Sequence, residues 1–392
     1  MPEPSFYGPP AERVAVLMSR ALALAERGGG ATAPNPMVGC VIVNDDGRIL
    51  GEGFHPRAGD AHAEVFAIEM AKRIGRPLRG TTVIVNLEPC AAHGRTPPCV
   101  DALIGVGAKR VYYANPDPHD GKGGAERLRA AGLEVEQGVG QEPARRLNEA
   151  WFHWVGTGLP FFHVKVAQTL SSHMTRGVRG ARWITSSSAR AVVHRMRRRH
   201  AAVLVGIGTV LTDDPFLTVR DWPPRVAGVD WPDPAPEVEW PRVQPRRVVL
   251  DSWLQIPLDS RLVATSDTSP VLIFCRPDAD KGKQAALEKH QVEVIRTTPA
   301  SKGLSLMAVA RGLGERGVTG VFVEPGPTLL ASLFEAGLVD RWTSFVAPDW
   351  VGGADALRLP TPAEGIVLDD FEWELYGRDA MVTGLVRRAR SG

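Results

Sequence analysis

Apolar positions along the chain alternate between steps of three or four residues and short unbroken runs. After Pro9-Pro10, residues Val14, Leu17, Met18, Ala21, Leu24 and Ala25 follow the helical step, and Gly28-Gly29-Gly30 stops it. Stretch 38–43 is a continuous apolar run, and Asp45-Asp46-Gly47 supplies a turn into a second strand at 48–54. A helix is predicted at 63–74, a buried strand at 82–87, a short helix at 100–106, a strand at 109–114, a helix at 125–131 and a strand at 133–137. Strands alternating with helices predict a layered α/β domain with parallel pairing in its sheet.

Gly156-Thr157-Gly158-Leu159-Pro160 has linker chemistry and precedes a new apolar strand at 161–166. Two domains are therefore expected, 1–156 and 160–392. The second alternates again: helix at 189–199, strands at 202–205, 247–250 and 271–274, helix at 304–315, strand at 318–323, and a helix opening near Pro327. No internal repeat is visible. Stretch 221–245 does not fit this pattern, with seven prolines and three tryptophans and no periodicity. Proline cannot donate to a sheet ladder, so this is a surface excursion. It is either a tolerated insertion or a lid or subunit contact that covers the tryptophans.

Composition narrows the class. The 392 residues carry 46 Lys+Arg against 44 Asp+Glu, so no charge excess calls for nucleic acid or an anionic membrane. Arg195 to Arg199 holds four arginines, and with a near-neutral total it is read as a solvated helix face with one phosphate-binding member. Four cysteines are too few for a disulfide framework. No apolar run reaches the ~18 residues of a membrane span, and the first residues lack the basic-then-apolar form of a secretory signal. A cytoplasmic enzyme without membrane or nucleic-acid partners is expected.

The cysteines acquire chemistry from their neighbours. His62-Ala63-Glu64 opens a predicted helix, Leu87-Glu88-Pro89-Cys90 ends a predicted strand, and Cys99 follows Pro97-Pro98 at the start of another helix. One imidazole and two thiols make the three-ligand set of a catalytic zinc, whose fourth position holds water. Thiols at helix N-termini meet free N–H groups and the positive end of the dipole, which favours thiolate. Glu64 is then free to carry protons. His-x-Glu followed by Pro-Cys and a further Cys is the pattern of zinc deaminases that act on nucleobase-type rings. Eight residues separate the two cysteines, so loop 91–98 bulges between them and brings His93 and Arg95 towards the metal. Cys40 and Cys275 are read as buried packing thiols.

PNPMVGCVIV (34–43), HAE (62–64), LEPCAAHGRTPPCVDALI (87–104) and DPHDGKG (117–123) together resemble the deaminase domain of the bifunctional riboflavin-biosynthesis deaminase/reductase family. The resemblance implies a cytidine-deaminase-like α/β/α domain. Its substrate is a diaminohydroxypyrimidine carrying a ribosylamine 5-phosphate, from which ammonia leaves. It implies His62, Cys90 and Cys99 as Zn2+ ligands and Glu64 as general acid/base, with Asn35 and His55 lining the pocket.

In the second half no dinucleotide fingerprint stands by itself. Gly206-Ile207-Gly208 lacks a third glycine, and Pro325-Gly326-Pro327-Thr328 reads equally as a phosphate cradle or an ordinary turn. Trp183-Ile184-Thr185, VGIGTVLTDDPFLTVR (205–220), VVLDS (248–252) and VEPGPTLL (323–330) are, however, similar to the reductase half of the same family, a dihydrofolate-reductase-like α/β fold using NADPH. The resemblance implies that Ala167, Trp183, Thr209, Asp213, Ser252, Gly326 and Thr328, within a cradle reaching Ser332, face the dinucleotide. It implies that Lys165, Arg197, Leu217, Arg220 and Glu324 hold the substrate. It spans about Val14 to Arg387, and with the Trp-rich stretch it makes a homodimer the expected assembly.

One departure stands out. Where the family reads Ser-Leu-Asp-Gly-Arg/Lys after this strand, the chain reads Thr169-Leu170-Ser171-Ser172-His173, and Ala181 replaces a serine two residues before Trp183. A lost carboxylate contact to a sugar costs about 1–3 kcal/mol. Weak NADPH binding, a different substrate and a non-catalytic second domain all stay open on sequence alone. The last of these would leave a deaminase-only enzyme of a specialised pathway.

Overall fold

The computed structural model describes residues 10–92, 97–119, 123–175, 183–220, 243–351, 356–362 and 365–388. His93, Arg95, Ala181 and residues 221–242 of the Pro/Trp-rich stretch lie outside them. The chain forms two compact units that part between Gly156 and Thr157.

The first unit runs α1 (Pro10–Glu26), β1 (Gly39–Val43), β2 (Ile49–Phe54), α2 (Ala63–Arg73), β3 (Thr82–Leu87), α3 (Cys99–Gly105), β4 (Arg110–Asn115), α4 (Gly124–Ala130), β5 (Glu134–Gln137), α5 (Gln141–Leu147) and α6 (Glu149–Thr157). Its five strands lie in the order β2-β1-β3-β4-β5. β1 is antiparallel to both neighbours, and β3, β4 and β5 are parallel. Every residue of β1 and β3 is buried, which requires cover on both faces of the sheet. Val14, Leu17, Met18 and Ala21 of α1 with Ala144 of α5 close one face. Ala63, Ala67 and Ile68 of α2, Val100 and Leu103 of α3, and Leu128 of α4 close the other. The result is the expected α/β/α layering. Gly53 permits it: a side chain there would run into the Ala63 and Ala67 backbone of α2.

α5 and α6 had no counterpart in the hydrophobic pattern. α5 spans seven residues and buries only Ala144, so it has no apolar face to read.

The second unit runs β6 (Phe161–Thr169), α7 (Ser187–Arg199), β7 (Ala202–Gly206), α8 (Ile207–Asp213), β8 (Arg246–Leu250), α9 (Arg261–Ala264), β9 (Val271–Cys275), α10 (Lys281–Lys289), β10 (Glu293–Arg296), α11 (Leu306–Gly314), β11 (Gly320–Val323), α12 (Pro327–Ala336), β12 (Arg341–Ala347), β13 (Ile366–Tyr376) and β14 (Asp379–Arg388). Nine strands lie in the order β10-β9-β8-β7-β11-β6-β12-β14-β13. The first seven are parallel, and β14 and β13 add an antiparallel hairpin. Ala189, Val192 and Val193 of α7 cover one face; Val309 and Leu313 of α11 and Leu330 and Leu333 of α12 cover the other. From β7 the chain steps outward through β8, β9 and β10, then returns to insert β11 between β7 and β6. That reversal opens a crevice at the carboxyl ends of β7 and β11, where ligands of open α/β sheets bind.

Candidate functional sites

In the first unit His62 is the N-cap of α2, so its side chain leaves the helix start while Glu64 lies in the first turn. Cys90 follows the carboxyl end of β3, and Cys99 is the first residue of α3. His62 Nδ1 lies 3.3 Å from Cys99 Sγ and 3.5 Å from Cys90 Sγ. The Cys99 backbone N–H donates to Cys90 Sγ over 3.3 Å. All three donor atoms fall within 4.8 Å of one another. One imidazole nitrogen and two sulfurs fit Zn2+ with a position left for water. Of the two thiols, hydrogen bonding from Cys99 and then from His62 holds Cys90 low, against the effect of burial. Cys99 is pushed up by sharing its proton with Cys90. Glu64 is buried, and burial followed by the charge on Cys90 raises its carboxyl to about 7. A carboxyl poised there both accepts and donates a proton near neutrality.

Asn35 and His55 meet: Asn35 Nδ2 is 3.1 Å from His55 Nε2, whose Nδ1 lies 3.1 Å from the Ala61 carbonyl. The His55 ring packs edge-on to His62 at 5.3 Å, and burial lowers its pKa. Three supporting residues went unseen in the sequence. Asn148 accepts from Met37 N–H (2.8 Å) and donates to Met37 C=O (2.8 Å), and Asn86 also donates to that carbonyl (3.0 Å), fixing the loop that carries Asn35. Glu88 accepts from Ala125 N–H (2.8 Å) and Asp117 N–H (3.2 Å), locking the strand end before Cys90 to α4.

In the second unit Arg197 Nε donates to Glu324 Oε1 over 2.5 Å, and Arg197 Nη1 to Thr218 C=O over 3.1 Å. Lys165 lies on β6, one step past the last pair that β6 and β11 share, level with Glu324. Burial lowers Lys165, with Glu324 opposing; burial would raise Glu324, but Arg197 and Lys165 outweigh it and hold the carboxylate low. Leu217 departs from a simple substrate contact. Its side chain is in the core and its backbone is left-handed at φ 53°, so what it offers outward is main chain. Arg220 is exposed, with its guanidinium 5.5 Å over the Phe216 ring.

Thr209 and Asp213 lie on α8, and a side chain at Gly326 would sit 3.9 Å from Thr209 Oγ1, so these two meet at the crevice. Gly326 is the N-cap of α12, with Pro327 next and no side-chain cap; exposed Thr328 follows. Unspent N–H groups there fit a dinucleotide pyrophosphate. Ala167 is partly buried on β6, and Trp183 is exposed under the Arg190 guanidinium at 4.9 Å. The divergent turn is internally satisfied. Ser171 Oγ donates to Val351 C=O (2.7 Å) and accepts from Val351 N–H (3.0 Å), with His173 Nδ1 3.0 Å away. Ser172 occupies φ 60°, a conformation that suits the family's glycine.

Comparison with known proteins places these geometries. Residues 11–115 match the cytidine and deoxycytidylate deaminase zinc-binding region, and residues 160–382 match the RibD C-terminal domain. The riboflavin biosynthesis protein RibD of Aquifex aeolicus is 39% identical over 86% of this chain and 87% of its own length. That of Escherichia coli is 39% identical over 88% and 90%. The solved structure of Acinetobacter baumannii RibD is 33% identical, with a TM-score of 0.77 over 96% of this chain and 99% of that one. The Thermotoga maritima deaminase/reductase structure is 32% identical, with a TM-score of 0.78.

Proposed function

The chain belongs to the RibD family of riboflavin-biosynthesis proteins, and on that premise we propose how its two halves divide the work and which residues carry it. It is a bifunctional enzyme: zinc-dependent deamination of a diaminohydroxypyrimidine ribosylamine 5-phosphate, and NADPH-dependent reduction of the ribosyl to a ribityl chain. The relatives match through both halves, so the deaminase-only reading with a non-catalytic second domain is set aside.

Deamination is assigned to 1–156 and reduction to 160–392. The observation that carries the first is the meeting of His62 Nδ1 and the Cys90 and Cys99 sulfurs beside buried Glu64. Zinc bound there supplies a water acidified to a pKa of about 7. Glu64 would carry one proton of that water to the ring nitrogen and the second to the amine, which leaves as ammonia while the water oxygen becomes the ring carbonyl. Asn35 and His55 orient the ring. In the second half NADPH supplies the hydride. Gly326 and Thr328 at α12, with Ala167, Trp183, Thr209, Asp213 and Ser252, hold the dinucleotide. Lys165, Arg197 and Arg220 supply positive charge to the phosphorylated substrate, with Glu324 and the Leu217 backbone fixing its polar chain.

The test is to give purified protein the diaminopyrimidine substrate and follow ammonia, and separately to give it the deaminated intermediate and follow NADPH absorbance. Cys90→Ser should lose zinc and ammonia release yet still oxidise NADPH with supplied intermediate. Retained zinc and ammonia release would remove the ligand assignment; no NADPH oxidation by the wild type would remove the reductase assignment.

A further inference from the structure

Ser252, at the carboxyl end of β8, is flanked by a cluster that the reading above does not use. Arg276 directly follows β9, and its backbone N–H donates to Ser252 C=O over 3.1 Å. Its guanidinium lies 4.7 Å over the ring of Trp253, which is 52% exposed. Arg276 Nε is engaged with exposed Asp278 at 3.0 Å, while no described residue takes Nη1 or Nη2. The outer fork of an arginine, matched to two oxygens of a phosphate, is therefore free and stacked on an open aromatic face. A surface ion pair such as that with Asp278 contributes about 0–1 kcal/mol, so it yields readily to a dianion.

The turn that presents Arg276 is built. Arg296 of β10 donates through Nη1 to the carbonyls of Arg276 and Pro277, and through Nη2 to that of Ala279 (3.1 Å) and to Gln284 Oε1 (2.7 Å). Gly303 closes the other side: a side chain there would sit 3.8 Å from Ser252 Oγ, and exposed Lys302 precedes it. A hydroxyl, a guanidinium fork and an indole face thus gather at one point on the carboxyl edge of the sheet, with Lys302 next in sequence to the glycine that borders it.

The position is also right for one end of a dinucleotide. β9 is three strands from β11 in the order β9-β8-β7-β11, or about 14 Å at the usual strand spacing. A cofactor whose pyrophosphate sat at α12 would reach this point with its adenosine half laid outward over β7 and β8. We propose that Arg276, stacked on Trp253 and backed by Ser252 and Lys302, binds the 2′-phosphate of NADPH and selects it over NADH, with the indole carrying the adenine. The assignment rests on the dinucleotide occupying the β7–β11 crevice as proposed above.

Binding distinguishes the two ideas without turnover. Wild type and Arg276→Gln are titrated by calorimetry with NADP+, NAD+, adenosine 2′,5′-bisphosphate and 5′-AMP. Arg276→Gln should weaken NADP+ and the bisphosphate at least tenfold and leave NAD+ and 5′-AMP within twofold, with Arg276→Lys in between. Trp253→Ala should weaken all four several-fold. Equal losses for phosphorylated and unphosphorylated ligands, or unchanged NADP+ preference in Arg276→Gln, would overturn the 2′-phosphate assignment alone. A wild type that binds neither dinucleotide would overturn both it and the cofactor reading it rests on.

Discussion

At the residue scale the proposed zinc ligands depend on neighbours outside the donor set. A side chain at Gly124 would collide with the Pro89 carbonyl oxygen, and Glu88 is bonded to the N–H of Ala125 beside it. Backbone approach at that point sets where Cys90 emerges from β3. Gly124→Ala cannot be accommodated by a rotamer change, because the obstacle is main chain; overpacking of this kind costs about 1–3 kcal/mol. The variant should bind zinc substoichiometrically and release ammonia at least tenfold more slowly, as read by metal analysis and a coupled ammonia assay. Full zinc content with an unchanged rate would sink the argument. The ligand types themselves were legible, because His-x-Glu and a strand-ending Cys carry local patterns. Asn86, Asn148 and Glu88 were not. Their partners are main-chain groups far along the sequence, and Asn148 reaches Met37 across 111 residues, so no spacing announces them.

At the level of elements, legibility followed burial. β1, β3, β7 and β9 are apolar runs and stood out; α1 and α7 present one apolar face and were read within a few residues of their ends. β6 extends three residues past its expected end because β12 pairs with it through Thr169. β13 escaped notice because its side chains are almost all exposed, mixing Asp369, Asp370, Glu372 and Glu374 with apolar residues. Among the described residues that strand is the outer edge of the nine-stranded sheet, and Phe371, Trp373 and Leu375 are 57%, 63% and 77% exposed. Trp373 and Leu375 stand opposite Val382 and Ala380 of β14, on one face. An edge strand that exposes three large apolar side chains in five residues is a pairing hazard unless covered. We propose that a second copy covers it, forming the homodimer. Sedimentation should show the wild type as a dimer and Trp373→Lys as a monomer at micromolar concentration. A monomeric wild type, or a variant that stays dimeric, would refute this.

Across the whole molecule the two units should respond differently to acid, because the second buries a histidine pair in its interior. The His163 and His200 rings lie 5.1 Å apart against Phe322. His163 Nε2 is 2.8 Å from Thr343 Oγ1, and His200 Nδ1 is 2.7 Å from the Met196 carbonyl. Burial comes first among the causes that hold both neutral, with Arg199 and Arg341 adding to it; His163 falls well below its ordinary value and His200 to about 4. Both folded pKa values lie below the unfolded one of about 6.5, so the unfolded chain takes up protons first as pH falls. Stability is then fully present above about pH 6.5 and declines towards pH 4. For His200 alone the linkage is about 2 kcal/mol at pH 5. The Glu324 carboxylate, held low by Arg197 and Lys165, works in the same direction at still lower pH. Denaturant midpoints at pH 7 and pH 5 should therefore separate for the second unit. His200→Phe, which keeps a ring beside Phe322 and removes one titrating group, should shrink that separation by roughly this amount. A His200→Phe variant as acid-sensitive as the wild type would show that the buried pair does not set the limit.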